Sequence, residues 1–186
     1  EGLGALAGLD SLALTTNGSQ LADSGHALRD AGVNSINISL DSLQAERFKA
    51  ITRIGDLNTV LRGIDRAVEC GFDRIRLNAV ILDGLNRDEV LPLTNYALEK
   101  SIHIAFIEEM PLGQVNVGGK PLAYVSSDTL QKELAEHFTL VPMTASDTAG
   151  PARDFLIAGS QTKVGFISPH SHNFCAQCNR LRISAE

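Results

Sequence analysis

Cys175 and Cys178, separated by Ala176 and Gln177, place two thiolates where both can ligate one metal ion or cluster. Just beyond them Arg180 and Arg182 alternate with Leu181 and Ile183, so on a strand both guanidinium groups project from one face about 7 Å apart. Arginine forks match phosphate oxygens bidentately, and the pair suits a polyphosphate held beside the metal. Structural zinc takes four ligands, and His170 and His172 lie near enough in sequence to complete such a set. The cysteine pair by itself leaves zinc and an iron–sulfur cluster both open. A redox Cys-x-x-Cys would open a helix, which Asn179 to Ile183 does not resemble. Cys70, alone between Glu69 and Gly71, reads as a small core residue at a helix end. His26, His103 and His137 have no readable partner.

These groups need a scaffold, and the pattern upstream supplies one. Short β-type runs, Leu12 to Thr16, Ser35 to Asp41, Arg74 to Leu82 and Ile102 to Ile107, alternate with helical segments, the signature of βα units and a parallel sheet or barrel. Helices are expected over Gln20 to Asp30, around Glu46 to Ile51, and after Asp56, where Leu57, Leu61, Ile64 and Val68 recur at helical spacing. Asn86 and Glu89 have the spacing of a capping box ahead of a helix containing Pro92. After Met110, Pro111, Gly113, Gly118, Gly119 and Pro121 predict a long loop. An amphipathic helix with Leu130, Leu134 and Phe138 follows, with Asp128 as its candidate cap. Strands Ala152 to Ala158 and Lys163 to Ser168 form a hairpin around Gly159-Ser160, and Asn173 to Glu186 ends in an alternating strand.

Sorting the strands by parity separates two faces. Leu12 and Leu14 oppose Thr15 and Asn17; Ile36, Ile38 and Leu40 oppose Asn37, Ser39 and Asp41; Ile75, Leu77 and Ala79 oppose Arg76 and Asn78. A filled barrel core is lined by branched aliphatic side chains, so three successive polar inner faces predict a lumen that holds a polar ligand. Any one of these residues could be a strand-end cap. The set as a whole, with a long cation at Arg76, reads as a site. Glu108 and Glu109 have ambiguous parity, and adjacent strand residues point to opposite faces, so they make a poor acid/base pair.

Composition bounds the partners. The 186 residues (19.9 kDa) are 44% hydrophobic and 20% charged with a mean hydropathy of +0.02, an ordinary globular balance. Sixteen Lys and Arg against 22 Asp and Glu give a net charge of −6. With aromatics at 5%, this disfavours nucleic acid and anionic membranes, and any anion must meet a local basic cluster. Three cysteines and no signal-peptide pattern suggest a reducing, cytoplasmic setting. A chain that opens on Glu1 and stops at Glu186, directly after a patterned segment, is expected to be a fragment.

Taken in order, Leu14-Thr15-Thr16-Asn17-Gly18, Asn37-Ile38-Ser39-Leu40-Asp41-Ser42, Arg76-Leu77-Asn78, Phe106-Ile107-Glu108, Gly165-Phe166-Ile167-Ser168-Pro169 and Phe174-Cys175-Ala176-Gln177-Cys178-Asn179-Arg180-Leu181-Arg182 resemble the GTP 3′,8-cyclase family of molybdenum cofactor biosynthesis, within the radical S-adenosylmethionine superfamily. The resemblance covers nearly the whole chain. It implies an α/β fold: a partial radical-SAM (β/α) barrel of about four of six strands in residues 1–112, then a truncated C-terminal α+β iron–sulfur segment in residues 113–186. It further implies S-adenosylmethionine with its own [4Fe–4S] cluster, whose 5′-deoxyadenosyl radical takes hydrogen from ribose C3′ of GTP before C3′ bonds to C8. A second [4Fe–4S] cluster binds the guanine base. The product passes to cyclic pyranopterin monophosphate synthase, and a homodimer is compatible with the family.

Residue by residue, the resemblance makes Thr15 a GTP contact and Ser39 and Met110 S-adenosylmethionine contacts. Arg76 stands at a lysine position that binds GTP phosphates, Cys175 and Cys178 match two ligands of the second cluster, and Arg180, Leu181 and Arg182 match its adjoining GTP-binding segment. The chain holds no CxxxCxxC and no GGEP-like segment, Ala105 stands where the family has arginine, and Glu109 where it has an aromatic. The chain alone is therefore expected to be inactive, with no catalytic residue assignable in it. Two other readings compete: a different radical-SAM enzyme with an auxiliary cluster, and a zinc-binding interaction module using His170 or His172.

Overall fold

A computed structural model describes residues 2–110, 116–117, 120–121, 123–144 and 151–172. Strands β1 (Ala13–Thr16), β2 (Ser35–Ser39), β3 (Arg74–Asp83) and β4 (His103–Glu108) pair in that order, all parallel. Parallel neighbours require long crossovers. Here these are α1 (Leu21–Asp30), then α2 (Ala45–Thr52) with α3 (Leu57–Glu69), then a 3-10 turn at Arg87–Glu89 running into α4 (Val90–Glu99). The apolar parity set packs into the core as expected: Ile36, Ile38, Leu40, Leu77 and Ala79 are fully buried. Each large aliphatic withdrawn from water in this way contributes about 1.5–3 kcal/mol.

Beyond Met110 the described residues carry two-residue ladders: β5 (Asn116–Val117) pairs with β6 (Lys120–Pro121), and β7 (Ala123–Tyr124) lies antiparallel on the end of β3. Helix α5 (Ser127–Ala135) follows, then β8 (Leu140–Pro142), β9 (Arg153–Ile157) and β10 (Lys163–Ile167). The β9–β10 hairpin forms as the sequence indicates. Its second strand also pairs parallel with β4, with Phe166 opposite Phe106, so the sheet runs β1-β2-β3-β4-β10-β9-β8 and holds five parallel strands. Phe106 and Phe166 are fully buried, and the Phe155 ring meets Phe166 edge-on with centroids 5.8 Å apart.

Several local expectations need correction. Along α3 the buried stripe is Leu57, Val60, Ile64 and Ala67; Leu61 lies at its margin and Val68 is exposed, because the helix turns its small residues toward α1. Gly63 lies so close to the Gly18 carbonyl that a Cβ there would be 2.5 Å from it. Asn86 and Glu89 form no capping box. The Asn86 amide bonds Leu82 N, Asp41 O and Val80 O, closing the turn after β3. Asp128 is not the cap of α5: Ser126 is, accepting from Thr129 N at 3.2 Å. Asp56 does cap α3, through Thr59 N at 2.7 Å. Strand β8, three residues long and ending in proline, is too short to show periodicity and was not anticipated. The expected terminal strand, Asn173 to Glu186, lies outside the described residues, as do Pro111, Gly113, Gly118 and Gly119.

Candidate functional site

Register sets the inner face. Thr15, Asn37, Arg76 and His103 lie side by side across β1 to β4, and one step toward the strand C-termini Ser39, Asn78, Ala105, Gly165 and Asp154 form a second row across β2 to β9. Thr15 and Ser39 are exposed, and Asn37 reaches Thr15 Oγ1 at 3.5 Å. Arg76 is only 7% exposed. Its Nη2 donates to both carboxylate oxygens of Asp154, at 3.0 and 2.8 Å. Among the described residues, Arg76 Nε and Asn78 Oδ1 are buried without a hydrogen-bond partner. Buried polar atoms are rarely left unmet, so the pair marks this face as the candidate place for a polar ligand.

Positive charge collects at the lower row. Arg74, whose Nε donates to Ser35 Oγ at 3.1 Å, has its pKa drawn down by burial and by Arg76. His103 lacked a readable partner in the sequence; its Nδ1 accepts from the Lys163 amide at 3.2 Å. Burial, then Arg76, Lys163 and Arg74, pull the His103 pKa down to about 4 against the opposing Asp154, so the imidazole is neutral at pH 7. A neutral histidine among three cations leaves a net positive inner face in a protein of charge −6.

Two members of the inward polar set are spent elsewhere. Asn17 folds back onto Ser19 N, a turn closure. Asp41 accepts from Val80 N at 2.8 Å, satisfying a β3 amide that lies past the end of β2. For these two residues the capping role is the observed one. Ser39 keeps its place in the inner row; Met110, 52% exposed, lies beyond the end of β4. Cys175, Cys178, Arg180, Leu181 and Arg182 lie outside the described residues.

Two carboxylates hold the C-terminal rim. Glu108 falls in register with Ile104 and Phe106 and is 2% exposed, which settles its parity as the helix-facing one. It accepts from Ser127 N, His170 N, Ser171 N and Ser171 Oγ, fastening α5 and the segment after β10 to the end of β4. Glu89, missed as anything but a cap, accepts from Ser42 Oγ, Leu43 N and Arg47 Nη1 and fixes the loop after β2. Neither is poised to exchange protons with a ligand. The signal for both was slight: each is the inner member of an acidic pair, Asp88-Glu89 and Glu108-Glu109, at the border of an apolar run. His170 stacks on Tyr124 with ring centroids 4.5 Å apart, and His172 meets Asp128 at 3.1 Å. Among the described residues no cluster of three metal-binding side chains occurs.

Two family models together cover most of the chain. The radical SAM superfamily model matches residues 3–97, and the molybdenum cofactor synthesis C model matches residues 102–186. The GTP 3′,8-cyclase of Pseudomonas entomophila (strain L48) is 52% identical over 185 residues, covering 99% of this chain and 55% of the relative. That of Ectopseudomonas mendocina (strain ymp) is 53% identical over 178 residues, covering 96% and 54%. That of Saccharophagus degradans is 48% identical over 185 residues, covering 100% and 56%. The chain thus spans about half the length of the curated relatives it matches.

Proposed function

The chain belongs to the radical SAM superfamily, and from that membership we propose that the whole protein carrying it is a GTP 3′,8-cyclase, a lyase of molybdenum cofactor biosynthesis. The superfamily and the named relatives imply S-adenosylmethionine and [4Fe–4S] clusters. Together, when bound, they supply the radical that activates ribose C3′ of GTP on the way to (8S)-3′,8-cyclo-7,8-dihydroguanosine 5′-triphosphate.

The observation that carries the substrate is the inner face: a buried arginine with an unmet Nε, flanked by Arg74 and Lys163, at the floor of a polar row. This chemistry fits a phosphate chain. Arg76 binds the GTP phosphates, and Thr15, in the same row, contacts GTP. Ser39, one step nearer the strand C-termini and beside the unmet Asn78 Oδ1, takes a polar group of S-adenosylmethionine; Met110 flanks it past β4. Cys175 and Cys178 supply two thiolates to a second cluster, and Arg180, Leu181 and Arg182 border the nucleotide there. Residues 1–112 form the barrel part and residues 113–186 the nucleotide-facing part. The product goes on to cyclic pyranopterin monophosphate synthase, and a homodimer is the assembly proposed.

The test uses the full-length protein, reconstituted anaerobically with iron and sulfide and given GTP and S-adenosylmethionine. Formation of the cyclised nucleotide is expected, and Arg76→Gln raises KM for GTP by about tenfold or more. Colourless protein with stoichiometric zinc would overturn the proposal in favour of the zinc module. The 186-residue chain alone is expected not to cleave S-adenosylmethionine.

A further inference from the structure

Asp154 sits on β9, yet its carboxylate meets Arg76 on β3, across two intervening strands. The positions between them are Ala105 on β4 and Gly165 on β10, in the same row as Asp154. A Cβ on Gly165 would stand 2.5 Å from Asp154 Oδ1, so the reach depends on glycine there. Both carboxylate oxygens take the one nitrogen Nη2, and Nε stays buried without a partner among the described residues. Three cations, Arg74, Arg76 and Lys163, act on His103 in this corner, and Asp154 is the carboxylate that opposes them.

We propose that Asp154 is an internal competitor for the anion site: it neutralises Arg76 when no phosphate is present and yields Nη2 when a polyphosphate binds, and so lowers the affinity for that ligand. The inference rests on the reading of Arg76 as a phosphate ligand. The physical reason is exchange. Arg76 is buried, with the exposed Arg74 and the half-buried Lys163 beside it, so its charge is poorly screened and is best held against an anion. Binding then trades a carboxylate for a phosphate instead of filling an unmet charge, and the repulsion between the displaced carboxylate and the ligand subtracts from the gain. Asp154 acts through Arg76 and is a positioning residue.

Titration calorimetry on the full-length protein with inorganic tripolyphosphate and with GTP tests this. Asp154→Asn keeps an oxygen for Nη2 and removes the charge, and is expected to tighten both ligands about tenfold. Guanosine, which has no phosphate, is expected to bind it as it binds wild type. Gly165→Ala keeps every charge but pushes Oδ1 aside, a shift that a flexible carboxylate absorbs, and tightens tripolyphosphate about threefold; it carries the test should Asp154→Asn not fold. In an Arg76→Gln background the gain from Asp154→Asn shrinks to the part that comes from direct repulsion between the carboxylate and the ligand. Variants at 154 and 165 that bind tripolyphosphate no tighter than wild type, while Arg76→Gln binds it more weakly, would overturn the competitor role and leave the phosphate site standing. Wild-type affinity in Arg76→Gln would overturn the phosphate reading, and this inference with it.

Discussion

At the scale of single residues, Glu108 and His103 write separate limbs into the pH dependence of stability. Burial pushes the Glu108 pKa up, but hydrogen bonds from Ser171 and the Ser127 backbone outweigh it and leave the group at about 2, below its ordinary 4.5. The unfolded chain therefore takes the proton more readily, so the stabilisation is full above pH 4.5 and is lost as pH falls from there toward 2. His103, held at about 4 against an ordinary 6.5, follows the same sign in a higher window: stability is lost as pH falls from 6.5 to 4. Urea midpoints measured against pH are expected to flatten between 6.5 and 4 in His103→Gln and below 4.5 in Glu108→Gln. Unchanged slopes in either window would show that the group's surroundings in the fold do not perturb it. Neither environment is visible in the sequence, because burial comes only with the folded sheet and because Lys163, one of the cations facing His103, and Ser171, a donor to Glu108, arrive from 60 and 63 residues away.

At the scale of elements, the tightest constraint is where α3 crosses the turn before α1. Gly63 faces the Gly18 carbonyl, and an added Cβ would meet that oxygen at 2.5 Å and the Leu21 side chain at 3.1 Å. The first of these neighbours is backbone, so the helix itself must move. Gly63→Ala is expected to cost about 1–3 kcal/mol in denaturant titration, although alanine is the better helix former. A stabilised variant would mean that the helix shifts freely. The elements themselves were largely legible: strand parity and glycine stops placed β1 to β4, their helices and the β9–β10 hairpin. The helix face of α3 was misjudged because Leu61 and Val68 share the period of the true stripe, displaced from it by one position, and only the neighbouring α1 decides between them. The Asn86 and Glu89 spacing misled because their side chains serve the loop after β2, a partner without sequence proximity.

At the scale of the whole molecule, the inner face was readable as polar from alternation alone, since a parallel sheet fixes which residues share a side. Its charge balance was not. Arg76 and Asp154 are 78 residues apart, and nothing local to either marks the pairing; it exists because β10 enters the sheet between β4 and β9. That placement also orders the assembly of the fold in time. The turn joining β9 to β10 is short, whereas Glu108 and Lys163 are separated by the whole of α5, β8 and β9. Closing a loop costs entropy that rises with its length, so the hairpin forms early and docks as a unit, and the β4–β10 seam closes last. Val164, fully buried on that seam, is then a position where truncation to alanine accelerates unfolding and leaves the refolding rate nearly unchanged in stopped-flow traces. A refolding rate that falls in proportion would instead put the seam in the nucleus. On the late-closing route, the Arg76–Asp154 ion pair beneath the proposed phosphate site forms only when the last parallel strand arrives, so the proposed anion site is a product of the final folding step.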